Sequence, residues 1–181
     1  KVAEQIPAEW LKWRNTEEAN KWWARRADNR LPPAEQTDAA RKHAADTLFV
    51  RTEAVRLRDG RGGRFTFAPA NNPYAILLPH INECRTVLSL LQYDAYLATI
   101  DRNPNRAVSA ALAALAVSRA VGDEPFLVSQ LVRIACAVLA AQTAAQVLAW
   151  GEPTEGLAEL QAELLAEADV PFFRIGMRGE R

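Results

Sequence analysis

Arg133 is the one charged residue between Pro125 and Gly151, and Ser129 and Gln130 precede it by four and three positions. On a helix those spacings put all three polar groups on one side. A guanidinium inside so apolar a segment needs a partner, because an isolated buried charge is prohibitive. Asp94, Asp101, Asp123 and Glu124 are the candidate carboxylates. Two kinds of chemistry follow. Paired with Asp94 or a neighbour, Arg133 fixes helix register. Left facing an apolar cavity together with Ser129 and Gln130, it makes an anion-binding pocket, either for a small molecule or for an enzyme's substrate. The structural pair is the favoured reading.

The two histidines offer a second constellation. His80 shares a helical face with Glu83 and Cys84, and His43 stands three positions before Asp46. A His and a carboxylate from each of two helices could hold a metal in a bundle. The His-x-x-acid order is reversed from the carboxylate-bundle motif, and no further carboxylate pair completes it, so two separate histidines are the simpler expectation. Trp10, Trp13, Trp22 and Trp23 are interleaved with Lys12, Arg14, Lys21, Arg25 and Arg26. Such a helix could stack bases, sit at a membrane interface or contact a protein partner. Glu9, Glu17 and Glu18 dilute its charge, which favours packing on the core or on a partner. The loop Asp59–Arg64 carries three glycines and two arginines that could cradle an anion, although a solvated turn is its ordinary reading. No nucleophile elbow, phosphate-binding G-x-x-x-x-G-K or zinc-spaced cysteine set is present. No cofactor is implied, and the chain reads as non-enzymatic.

The elements that must position these residues are helices. The 181 residues are 49% hydrophobic and 24% charged, which excludes intrinsic disorder and suits one compact domain. Basic and acidic residues number 22 each, so the chain has no overall basic field for nucleic acid. Cys84 and Cys136 are too few for a disulfide scaffold and read as small buried hydrophobes. No segment alternates like a strand. Proline and asparagine punctuation predicts helices over Ala8–Asp28, Ala34–Arg58, Pro79–Arg102, Pro104–Val121, Pro125–Trp150 and Thr154–Asp169. Gly122 is the expected left-handed cap of the fourth. Only four of the residues from Ala107 to Trp150 are charged and fourteen are alanine, which predicts that Pro125–Trp150 is the central helix, surrounded by others. The sequence therefore predicts an all-α antiparallel bundle of five to six helices built from helical hairpins. Residues 1–72 hold the Trp-rich helix, a second helix and the Gly/Arg loop; residues 73–181 hold the Ala-rich hairpins.

Two resemblances add to this. Asn105–Pro125, N-R-A-V-S-A-A-L-A-A-L-A-V-S-R-A-V-G-D-E-P, resembles the second helix of a tetratricopeptide hairpin, over one hairpin only. Leu77–His80 (L-L-P-H), Gly122–Ala135 (G-D-E-P-F-L-V-S-Q-L-V-R-I-A) and Met177–Arg181 (M-R-G-E-R) together resemble a family of uncharacterised helical proteins from planctomycete bacteria. That resemblance implies an α-helical domain, often following an N-terminal membrane anchor, with further helix beyond Arg181, and it brings no known activity. The functional expectation is a non-enzymatic interaction or scaffold domain whose partner is another protein or further segments of its own chain. The alternatives are an envelope-associated domain touching membrane through the Trp/Arg helix, and a small-molecule site or enzyme around Arg133.

Overall fold

The computed structural model describes residues 2–27, 34–60 and 78–179. Among these residues there are helices and no strands, in accord with the all-α expectation. In chain order the α-helices are α1 (Ala8–Trp13), α2 (Glu17–Ala27), α3 (Ala34–Ala45), α4 (Leu48–Val55), α5 (Pro79–Ile100), α6 (Pro104–Ala120), α7 (Leu127–Trp150), α8 (Leu157–Ala168) and α9 (Phe172–Gly176).

The long hairpin α5–α6–α7 is built by the punctuation read above. Pro79 and Pro104 occupy the first helical positions of α5 and α6, and the Asn103 side chain accepts the Arg106 N–H at 3.2 Å as an N-cap. Gly122 lies at φ 69°, in the left-handed region, and turns the chain from α6 into α7. The links are too short for anything but antiparallel neighbours.

Two predicted long helices are broken. Ala8–Asp28 divides at Arg14–Thr16, where the Thr16 hydroxyl donates to Trp13 O at 2.7 Å and accepts the Ala19 N–H. Ala34–Arg58 divides at Asp46–Thr47, where the Thr47 hydroxyl donates to Ala44 O at 2.9 Å. In both places a threonine offers the backbone a local alternative to the next helical bond. Residues 61–64 of the Gly/Arg loop lie outside the described residues.

The central helix is α6, not α7. Ten of the seventeen residues of α6 are buried, because its alanines let neighbours approach from every side. By contrast eight of the 24 residues of α7 are buried. The N-terminal helices α3 and α4 gather on α5 and α6, so the far side of α7 stays open. Apolar composition identified α7 as a helix in contact with others without specifying on how many sides.

One hydrophobic cluster runs from Ile6, Trp10 and Trp13 through α5 and α6 to Val147 and Leu160. Buried Asp94 anchors the N-terminal helices to this core: it accepts from Arg51 of α4, which also donates to Ala44 O at 2.9 Å, and from Arg106 of α6 at 2.6 Å. Burial lowers the pKa of Arg51, and the neighbouring Asp94 carboxylate opposes that shift.

Candidate functional site

Ser129, Gln130 and Arg133 do share one side of α7, and all three are buried. The work of Gln130 and Arg133 is structural, and the buried Ser129 hydroxyl takes no part in it. Gln130 donates through Nε2 to Gly122 O at 3.2 Å and Glu124 O at 2.8 Å, and Arg133 donates through Nη1 to Gly122 O at 2.9 Å. These bonds fasten the α6–α7 turn. The rest of the guanidinium meets Glu167 of α8 in a two-pronged pair, Nε to Oε1 at 3.0 Å and Nη2 to Oε2 at 3.1 Å. Phe172 covers its face at 5.1 Å from the ring centre.

Glu167 is shared. Arg119 of α6 donates to it through Nε at 3.0 Å, and its other nitrogens reach the carboxylate and the carbonyl of Glu163. Two guanidiniums and two carboxylates thus meet with balanced charge, which is the condition for keeping ions out of water. One turn further, Arg58 donates to Glu159 at 3.1 Å. Glu159, Glu163 and Glu167 form an acidic row at four-residue spacing on α8, and it docks on Arg58, Arg119 and Arg133.

The expected partners of Arg133 are therefore corrected. Asp94 belongs to Arg51 and Arg106, Asp101 binds Arg41, and Glu124 faces His80 at 2.8 Å. The missed residues are Glu163 and Glu167. Their signal in the sequence is the row of three glutamates on α8, matched in number to the arginines that need partners. With its donors engaged by Glu167 and Gly122, Arg133 has no part in lining the larger clefts found among the described residues. The expectation of a pocket around Arg133 and Asp94 is not met.

The histidines go separate ways. His43 stacks on Trp13 with ring centres 4.7 Å apart, whereas His80 is buried against Glu124. Among the described residues no group of three His, Cys, Asp or Glu could hold a metal, so His43, Asp46, His80 and Glu83 do not converge. Trp10 and Trp13 are not a surface. They are 1% and 5% exposed and pack on Tyr93 at 5.7 and 5.4 Å, as large aromatics do in a core. The interaction surface expected there is corrected for these two residues; the side chains of Trp22 and Trp23 lie outside the described residues. Cys84 and Cys136 are buried free thiols, and burial pushes their pKa values up to about 12 and about 11.

The structure also exposes large apolar side chains, among them Leu48 and Phe49 of α4, Leu157 and Leu165 of α8, and a group on α7. Val128, Leu131 and Val138 of α7 are each half exposed or more, Leu148 continues the surface, and Phe173 and Met177 stand beside it at α9. A groove of about 700 Å³ runs between this face and α5, with Arg85 and Ser89 on one wall and Leu131 and Ala135 on the other. A contiguous apolar face of this kind marks an interaction site more often than a random scatter of exposed side chains does. No family model matches the chain, and no curated protein or solved structure is significantly similar to it.

Proposed function

We propose that this chain is a helical interaction or scaffold domain that contacts a protein partner through the outer face of α7. One observation carries the reading: α7, whose most apolar 18-residue stretch has a mean hydropathy of 1.6, is fastened by its polar side while eight of its 24 residues, none of them charged, stay exposed. The bonds of Gln130 and Arg133 hold the opposite side of the helix on the α6–α7 turn and α8, which limits the ordering cost of binding through the outer face. Membership of the planctomycete helical family is part of the same proposal. It is supported by the motif Gly122–Ala135, which contains the turn, Gln130 and Arg133. A photo-crosslinking amino acid placed at Leu131 in cells should yield a discrete protein adduct. The same group at exposed Ala162 on α8 should not, and equal or absent labelling at both positions would refute the reading.

A second reading, association with a membrane surface, is favoured by the length and apolarity of α7. It replaces the expectation of contact through Trp10 and Trp13, which are buried. Co-sedimentation with vesicles of neutral and anionic phospholipid tests it, and protein left wholly in the supernatant with both would remove it.

A further inference from the structure

We infer that the groove between α5 and α7 binds a free fatty acid, its carboxylate at Arg14 and Arg85 and its hydrocarbon chain along α7. The inference goes beyond the interaction reading and does not rest on it. The groove has two unlike walls. On α5, Asn82, Arg85, Ser89 and Gln92 follow steps of three, four and three, which sets four polar side chains in one row. Opposite them, Val128, Val132, Ala135 and Leu139 of α7 make an apolar wall. Leu88 and Cys136, each 1% exposed, form the floor. At one end Gln92 ties the walls together, donating through Nε2 to Leu139 O at 3.3 Å and Thr143 Oγ1 at 3.0 Å.

Arg14 decides the charge of the ligand. It stands at the C-terminal end of α1 and borders the groove, with its guanidinium 5.6 Å from the centre of the Trp10 ring. Its Nη1 is shut off from water and finds no acceptor among the described residues. Every other arginine of the described residues that is buried or half-buried meets a carboxylate: Arg51 and Arg106 at Asp94, Arg58 at Glu159, Arg119 and Arg133 at Glu167. Arg14 instead shares the groove with a second cation, Arg85, and among the described residues no carboxylate lines it. Burial lowers the pKa of Arg14; Tyr93 opposes that shift and the positive charge of Arg85 adds to it. A partly desolvated cation without a counter-ion is unfavourable, so this site gains most from a ligand that brings a negative charge.

The α7 wall decides the rest. From Val128 to Leu139 the helix rises roughly 16 Å, a length along which a single hydrocarbon chain can lie. The groove volume of about 700 Å³ is that of an ordinary small-molecule site, and an apolar lining with a few placed polar groups is the usual composition of one. A carboxylate is the planar two-oxygen partner that a guanidinium fork fits. Arg14 is half-buried whereas Arg85 is exposed, so the uncompensated charge is recessed and suits a slender ligand better than the flank of another protein's helix.

The test is isothermal titration calorimetry of the full chain with laurate below its micelle-forming concentration. Binding should saturate at one laurate per chain, and from octanoate to laurate it should tighten by roughly two- to fourfold per methylene. Arg14→Met should weaken laurate by more than about tenfold and leave decanol unchanged. Because that variant removes an unpaired charge, it should not lower the melting temperature. Arg85→Glu, at an exposed position, should weaken laurate in the same direction and serves if Arg14→Met fails to fold. Dodecyltrimethylammonium, with the same chain and the opposite charge, should bind at least about tenfold more weakly than laurate. No saturable binding of laurate, equal binding of dodecyltrimethylammonium, or full laurate affinity in Arg85→Glu overturns the proposal. Tighter binding of dodecyl phosphate than of laurate overturns the carboxylate assignment. If laurate fails to bind while Arg85→Glu abolishes the Leu131 photo-adduct, the charged wall serves a protein partner and the ligand proposal falls. If laurate binds and no adduct forms, the interaction reading alone falls.

Discussion

Replacing Glu167 by leucine removes the acceptor of three charge-assisted bonds, two from Arg133 and one from Arg119. Arg133 then keeps only the Gly122 carbonyl and the face of Phe172, at a site 8% exposed. Breaking a buried pair in this way costs about 3–5 kcal/mol. A chain of 181 residues has an unfolding entropy of roughly 0.38 kcal/mol/K, so the melting temperature should fall by about 8–13 °C. Arg133→Met should cost less, about 1.5–3 kcal/mol, because Glu167 retains the Arg119 Nε bond and is not left uncompensated. The double variant Arg133→Met/Glu167→Leu should recover most of the loss, since a matched apolar pair replaces an ion pair at little net cost. Thermal unfolding followed by circular dichroism at 222 nm, with a double-mutant cycle, measures all three. If Glu167→Leu lowers the melting temperature by under about 2 °C, or if Arg133→Met is the more damaging change, the assignment of Glu167 as the shared counter-ion is wrong.

Asp94→Ala should cost about 3–5 kcal/mol in urea unfolding, because Arg51, whose side chain is 7% exposed, keeps only Ala44 O. Gly156 starts α8 at φ 80°, and a Cβ there would lie 2.9 Å from Val108 Cγ1. Gly156→Ala should therefore destabilise by about 1–3 kcal/mol, and the added change Val108→Ala should relieve the clash but not the backbone strain. Cys84 and Cys136 should resist a disulfide thiol reagent at pH 8 except at the rate of global unfolding. Their pKa values are raised in the fold to about 12 and about 11 from 9.0, so their contribution to stability is complete below about pH 9 and is lost as pH climbs through 11 to 12. Cys84→Ala/Cys136→Ala should flatten that alkaline decline relative to wild type.

The hairpin α5–α6–α7 was legible because its boundaries are chemical: Asn103 and Pro104 start one helix, and Gly122 ends it. The breaks in the N-terminal half were not, because Thr16 and Thr47 are tolerated inside helices, and only their bonds to the preceding carbonyls decide otherwise. Arg133 was found as an anomaly because its own helix lacks any other charge. Its partner was harder to see because the signal is not in Glu167 itself but in the row Glu159, Glu163 and Glu167, which has to be matched to Arg58, Arg119 and Arg133 on three other elements. The direction of the apolar face of α7 could not be read from composition either. The more polar side, with Ser129, Gln130, Arg133 and Thr143, is the buried one and the more apolar side is open, the reverse of the usual pattern for a surface helix.

The arginine–glutamate docking of α8 also bears on the order in which the chain folds. Glu167 lies 34 residues from Arg133 and 48 from Arg119, whereas α5, α6 and α7 close on each other through turns of a few residues. Local hairpins form before distant contacts can compensate the entropy of closing the larger loops. Leu160 is the single fully interred apolar side chain of α8, so little hydrophobic gain draws this helix in before its ion pairs are aligned. Glu167→Leu should consequently leave the refolding rate close to that of wild type and speed unfolding by nearly the whole of its free-energy cost, about a hundredfold or more for 3–5 kcal/mol. The glutamate row then acts as a latch on the finished bundle: it sets how long the folded molecule lasts, not how fast it is made.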